Sequence, residues 1–534
     1  MKNIKFILII LSATIFSLPL SSQLKQNPEE IKQARIEQAK DSLNSILEQA
    51  KKGDTAAQNE VGLWYYIGRH TEKNYEQAFH WWNLAAKNGN VEAIGNLGLC
   101  YQTGNGVAAD SLLACRYYQT SINKGNEALF NQNVTLAENG DLFSNMLIAS
   151  CYRNGYGVKR DIEKSIPYYE RAADKGSVQA MTNLGILYLR TDRADKAKQW
   201  FEKGAQKNNP TCIYFIGEMY MEGKGYEQNK AVGADKILKA AQMGFPQAMY
   251  YLGNCYMTGE GITKNTEQAI KMYKQAAAKN SANGQWALAQ CYREGIGVPI
   301  NYQEAMIWYA RAISPRKTTN TNQRYIKDFT DLVNNNNSES PFVAYLRGVK
   351  DYNAKNFEEA LKQFKIVEKA GIADGKIMTA QVLLNPEYPK KDVKKAIKLL
   401  NEVGSDNARA IYILAQLYES GEGVEMNMSD AVKYMTEAAD LDYAPAECAL
   451  ADMYYEGRGV EKDYSKAVEL YTKAYQQGLL TENAARRLIQ CYEDKLGVDG
   501  MDVVKADEIR ESIMPADIDI LLNIMEPKKD QSSK

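Results

Sequence analysis

The sequence predicts an all-α chain built as a solenoid of helix-turn-helix repeats, and three observations carry that prediction. The pattern Y-x-x-G-x-G followed by Val, Ile or Tyr occurs seven times, at Tyr101–Val107, Tyr152–Val158, Tyr220–Tyr226, Tyr256–Ile262, Tyr292–Val298, Tyr418–Val424 and Tyr454–Val460. Tyr220, Tyr256 and Tyr292 are spaced by 36 residues, as are Tyr418 and Tyr454, and a fixed period of this size marks stacked structural repeats. Four residues past the second glycine stands Asp110, Asp161, Asn229, Asn265, Asn301, Asn427 or Asp463 in every copy.

Each element of the repeat follows from side-chain chemistry. Ahead of the motif, Ala93, Leu97, Gly98 and Tyr101 recur at i, i+4, i+5 and i+8, which is one stripe of a helix A whose small members admit a close neighbour. The two glycines then end helix A, because glycine enters the left-handed region at little steric cost. The Asp or Asn is read as the N-cap of a helix B, worth about 1 kcal/mol per unit. Along helix B a small residue precedes a bulky one by four: Ala114 and Tyr118, Ser165 and Tyr169, Ala269 and Tyr273, Ala305 and Tyr309, Ala467 and Tyr471. Helix B closes on Ala-Ala and Gly, as in Ala172-Ala173 with Gly176.

These residues resemble the Sel1-like repeat family, a relative of tetratricopeptide repeats, through A-x-x-x-L-G-x-x-Y-x-x-G-x-G-V-x-x-D followed by A-x-x-x-Y-x-x-A-A-x-x-G. The resemblance covers most of the chain. It implies a right-handed α-solenoid that serves as a protein-interaction scaffold, with no chemistry of its own in most members. Some exported bacterial members carry paired cysteines in every repeat, and this chain departs from that pattern. Five of its eight cysteines (Cys100, Cys151, Cys255, Cys291, Cys491) each precede a tyrosine in one recurring slot. Equivalent slots lie about 8 to 10 Å apart per interaxial step, beyond the roughly 7 Å a disulfide spans. Buried free thiols are therefore expected, with Cys100 and Cys115 the one pair left open.

Breaks in the period give the expected organisation. Residues 1–22 read as a signal peptide: Lys2 and Lys5 precede the apolar run Phe6–Leu11, and Pro19, Ser21 and Ser22 follow. Export to the periplasm, cell envelope or exterior follows from it. The alternative, an uncleaved anchor, is short of the roughly 20 residues a spanning helix needs. Residues 23–313 are expected to form a cap helix (Glu29 to Lys52) and a repeat array, with an extra helix or half-repeat between Asn126 and Phe143. In the unit at Gly185 the G-x-G loop is replaced by Arg190 to Asp195. Residues 314–341, with Pro315 and the run Asn334 to Asn337, are expected as a linker holding one short helix near Arg324 to Val333. Residues 342–525 resume as tetratricopeptide-like and Sel1-like repeats with a cap from Val503 to Met525, and 526–534 are expected to be a disordered tail.

Composition narrows the function. The 534 residues carry 65 Lys+Arg against 66 Asp+Glu, a net charge of −1, which leaves no basic surplus for a nucleic-acid ligand. Only two histidines, His70 and His80, are available to imidazole chemistry or zinc, and no convergent partners accompany them. The G-x-G loops lack the third glycine and the preceding strand of a dinucleotide fingerprint. No catalytic, cofactor or metal residues are assigned, and no later segment reaches membrane-spanning length.

The groove is the remaining surface. In tetratricopeptide-like superhelices helix A forms the concave wall, with its exposed positions three before, one after and four after the helix-A Gly or Ala. Those slots hold Tyr214, Tyr250, Trp286 and Tyr412; Glu218, Asn254, Gln290 and Gln416; and Met221, Met257, Arg293 and Glu419. An aromatic repeated at 36-residue spacing would form a ladder for an extended ligand, flanked by amides and thioethers. Packing between adjacent A helices is the equal alternative for these rings. The expected partner is a protein or peptide, with an envelope glycan or peptidoglycan as the other ligand the same surface would suit, and an envelope hydrolase as the rival class.

Overall fold

The A helices of the motif-bearing repeats end where glycine lets the backbone turn left-handed. At Val91–Thr103, the C-cap Gly104 has φ 75° and donates its N–H to the Cys100 carbonyl at 2.8 Å. Gly155, Gly259, Gly295, Gly421 and Gly457 do the same for their helices. The second glycine has a separate task. A Cβ on Gly106 would stand 2.1 Å from the Tyr75 carbonyl oxygen, and one on Gly261 would stand 2.2 Å from that of Lys230. Its bare Cα lets these loops, and those at Gly297, Gly423 and Gly459, rest on the start of the preceding helix B. The loop then closes on itself: the backbone N–H of all seven capping residues donates to the carbonyl of the motif tyrosine, as Asp110 to Tyr101 at 2.8 Å and Asn265 to Tyr256 at 2.9 Å. The expected caps form, with the Asp110 carboxylate accepting from the N–H groups of Leu112 and Leu113.

The computed structural model describes residues 28–314, 320–335, 340–498, 502–512 and 521–522. These contain 27 helices, most of them 13 residues long, and no strand among the described residues. The fold is therefore the all-α repeat architecture that the period predicts. The signal peptide at 1–22 and the tail at 526–534 lie outside the described residues.

Helix A and helix B pack through the small and bulky slots. A Cβ on Gly253 would meet the Tyr273 ring at 2.5 Å, one on Gly62 the Trp82 ring at 2.5 Å, and one on Gly348 the Phe364 ring at 2.4 Å. Each of these three glycines thus seats the large side chain of its own helix B. The insertion forms helix Glu127–Glu138, and the short unit turns between helices Val178–Arg190 and Ala194–Gln206 with Asp192 at φ 57°. At the start, Pro28–Lys51 forms the expected first helix; at the other end, Val503–Ser512 is described and 513–520 are not. All eight cysteines are free, seven of them buried and Cys115 half-buried. Burial pushes the thiols up, to about 12 at Cys100 and Cys151 and about 11 at Cys255 and Cys291.

The chain forms two compact units, residues 1–212 and 213–534. This differs from a division at a linker over 314–341. Within that segment a 16-residue helix, Asn320–Asn335, sends Tyr325, Phe329 and Val333 into one core with Trp308, Tyr309, Phe342 and Tyr345. The physical reason is the stripe at i, i+4 and i+8, which finds aromatic partners on both flanking helices, while Arg324, Lys327, Asp331 and Asn334 stay exposed. Residues 315–319 and 336–339 lie outside the described residues. Deeper in this unit, Asp374 and Arg409 form a buried pair at 2.9 Å, and Asp374 also accepts the Tyr302 N–H at 2.7 Å.

Candidate functional site

The helix-A slots that were expected to face a groove divide into two groups. Tyr214 and Met221 are core residues, each 3% exposed. Tyr214 lies edge-on to Phe245 at 5.4 Å and to Tyr251 at 6.1 Å, and donates its hydroxyl to Glu218. The first rung of the expected ladder is thus closed over by Phe245, the last residue of its own repeat, and by Tyr251 of the next. Met221 is drawn inward because the facing residue is Gly233, whose missing Cβ leaves room for the thioether.

Several flanking groups are also engaged. Asn254 accepts the Tyr273 hydroxyl at 2.7 Å, so the position after the helix-A glycine serves helix B of its own repeat. Asp452 receives Tyr471 in the same way, at 2.5 Å. Gln416 donates to the Tyr412 hydroxyl at 3.0 Å, Tyr412 meets Tyr443 edge-on at 5.6 Å, and Glu419 is ion-paired with Arg458. Met257 is half-buried against the core.

Tyr250, Trp286, Gln290 and Arg293 do come together. With Asn283 they form one wall of a cavity of about 640 Å³ in the second unit, and the inserted helix Asn320–Asn335 forms the other wall. Trp286 stacks on Tyr325, with centroids 4.6 Å apart and planes 17° from parallel, and meets Tyr309 edge-on at 4.7 Å. The Tyr325 hydroxyl donates to Asn283 Oδ1 at 2.6 Å, and Asn283 in turn donates to Gln247 Oε1 at 3.0 Å. Burial holds the Tyr325 phenol up at about 12, so it stays a neutral donor throughout the physiological range. Charge among the lining residues is balanced, with Arg293 and Arg324 against Asp328 and Asp331; Arg324 lies 3.5 Å from Asp328, and Arg293 also pairs with Glu294, outside the lining. Three aromatic rings, three amides nearby and no net charge suit a side chain with an apolar body and a polar end.

Asn283, Tyr325 and Asp328 were not assigned from the sequence. Asn283 had a signal, since Gln247 stands 36 residues earlier in the same slot. Tyr325 and Asp328 had none, because only tertiary packing brings their helix onto this wall. His70 and His80 lie at Trp64 and Trp81, with centroids 4.7 and 5.7 Å away, and among the described residues no three His, Cys, Asp or Glu groups are placed to hold a metal ion. Among the described residues no helix is long and apolar enough to cross a membrane.

Helix pairs seated through a small residue, closed by a G-x-G loop and capped by Asp or Asn define a helical repeat scaffold. The sequence profile of the Sel1 repeat matches residues 55–90, 91–126, 143–177, 178–209, 210–245, 246–281, 282–314, 408–443 and 444–479, more than half of the chain. The chain belongs to the Sel1 repeat family, whose proteins are typically scaffolds for protein interaction. It is similar to an uncharacterized protein of Neisseria meningitidis serogroup B, 29% identical over 34% of this chain and 34% of that protein. It is also similar to the ERAD-associated E3 ubiquitin-protein ligase component HRD3A of Arabidopsis thaliana, 26% identical over 36% of this chain and 28% of that protein. The matched stretches thus span about a third or less of these relatives. Among solved structures, a protective antigen of uropathogenic Escherichia coli displaying an SLR fold aligns over 92% of this chain and 98% of its own, at 23% identity and a TM-score of 0.33.

Proposed function

We propose that this chain is an exported, non-enzymatic scaffold that holds a peptide segment of a protein partner in the groove of its second unit. One observation carries the reading: Tyr250, Trp286, Gln290 and Arg293, four helix-A residues from two successive repeats, line a single cavity. Aromatic faces and edges there accept an apolar side chain, and Gln290 offers an amide to a peptide backbone. The family supports the scaffold role, and the relatives named above include a component of a ubiquitin-ligase assembly. Export rests on residues 1–22 and places the partner in the periplasm, in the envelope or outside the cell.

The test is a photo-crosslinking side chain placed at Gln290, with a control at Lys271, an exposed position on helix B. Protein expressed in its native host should give a discrete peptide adduct from position 290 and none from 271. Equal adducts at both positions contradict the groove, and a saccharide adduct at 290 replaces the peptide ligand with an envelope glycan.

A further inference from the structure

The inserted helix Asn320–Asn335 does more than bridge two repeats. It meets the helix-A wall that the repeat period marks as a binding face through Tyr325, and helix B of the same repeat through Phe329, in the manner of a helix seated in a groove. Its buried residues are Tyr325, Phe329 and Val333, at i, i+4 and i+8, while Gln323, Arg324, Lys327 and Asp331 are exposed. Tyr325 stacks on Trp286 and bonds Asn283; Phe329 meets Tyr309 at 5.4 Å. An amphipathic helix laid into a groove through anchors at this spacing is a recurring mode of peptide recognition. The fit is incomplete, since the cavity beside Tyr325 leaves Tyr250, Gln290 and Arg293 partly uncovered.

Resting on the groove reading above, we propose that this groove recognises an amphipathic helix with aromatic residues at i and i+4 and an aliphatic residue at i+8, and that Asn320–Asn335 is its resident occupant, which a partner helix of that pattern displaces. The resident helix is tethered, so its effective concentration is on the order of millimolar, and a partner must match its anchors and fill the remaining cavity to compete. The apparent affinity for the partner falls by the fraction of molecules whose groove is open. An isolated helix lacking the two aromatic anchors would not compete at all.

The probe is a fluorescent peptide with the sequence of residues 320–335, followed by anisotropy against the full chain. It should bind the Tyr325→Ala/Phe329→Ala chain saturably and the parent at least tenfold more weakly. Adding Trp286→Ala to the double variant, or removing both aromatics from the peptide, should cost tenfold or more. Equal binding to parent and double variant, or none to a folded double variant, overturns the proposal. Phe329 is fully buried, so the double variant needs a companion measurement on the parent: hydrogen exchange. Amides of 320–335 should open together and exchange at least tenfold faster than those of Tyr302–Ile313. Equal protection of the two helices makes Asn320–Asn335 a fixed wall and overturns displacement; a peptide adduct at position 290 would then still uphold the groove itself.

Discussion

Gly253 and Glu304 show how much a single position decides. Gly253 admits the Tyr273 ring, so Gly253→Ala drives a methyl into it and should destabilise the second unit by about 1 to 3 kcal/mol in a denaturant titration. An unchanged midpoint would mean that the ring is free to move aside. Glu304 is 8% exposed and accepts the Trp308 indole N–H at 3.0 Å. Burial raises its carboxyl above the ordinary 4.5, with Trp308 and Arg311 opposing. The fold therefore favours the protonated form: that contribution is complete below about 4.5 and is lost as pH rises through the folded value. Glu304→Gln should stabilise the chain at neutral pH, and the gain should vanish on acidification; a pH-independent difference would contradict it. Tyr214 marks the limit of reading single positions from sequence. Its slot was legible, but the burial was not, because Phe245 and Tyr251, which cover it, stand outside its own helix, at the end of the repeat and in the next one.

At the scale of the element, the loop was legible in composition and only half legible in mechanism. Both glycines were read as helix stops, yet the second also touches the preceding repeat, a contact that no local pattern reports. Asn265→Ala removes one cap bond and should cost about 1 kcal/mol. Gly261→Ala combines a φ of +73° with a Cβ 2.2 Å from the Lys230 carbonyl and should cost clearly more. Equal losses would assign the second glycine to helix termination alone. Conversely, the helix at Asn320–Asn335 was seen as a short helix in a linker. Its apolar stripe was present in the sequence, but its partners Trp286 and Tyr309 lie in separate helices, and the neighbouring Asn run suggested solvent.

For the whole molecule, the period was enough to read a helical solenoid and the repeated motif carried its resemblance to Sel1 repeats, because each unit repeats its own packing and capping chemistry. The division into units was not, since the break in the period at 314–341 coincides with a continuous core. The cysteines offer a check that spans the chain: alkylation of denatured, unreduced protein should label all eight, and a mass lower by two disulfides would contradict the free thiols. The central claim is that partner recognition resides where Tyr250, Trp286 and Gln290 meet the inserted helix. The most direct measurement is crosslinking from position 290 in the native host, with helical content and melting unchanged. A single peptide adduct from 290, absent at 271, is the predicted result; adducts at 271 of equal yield would contradict it.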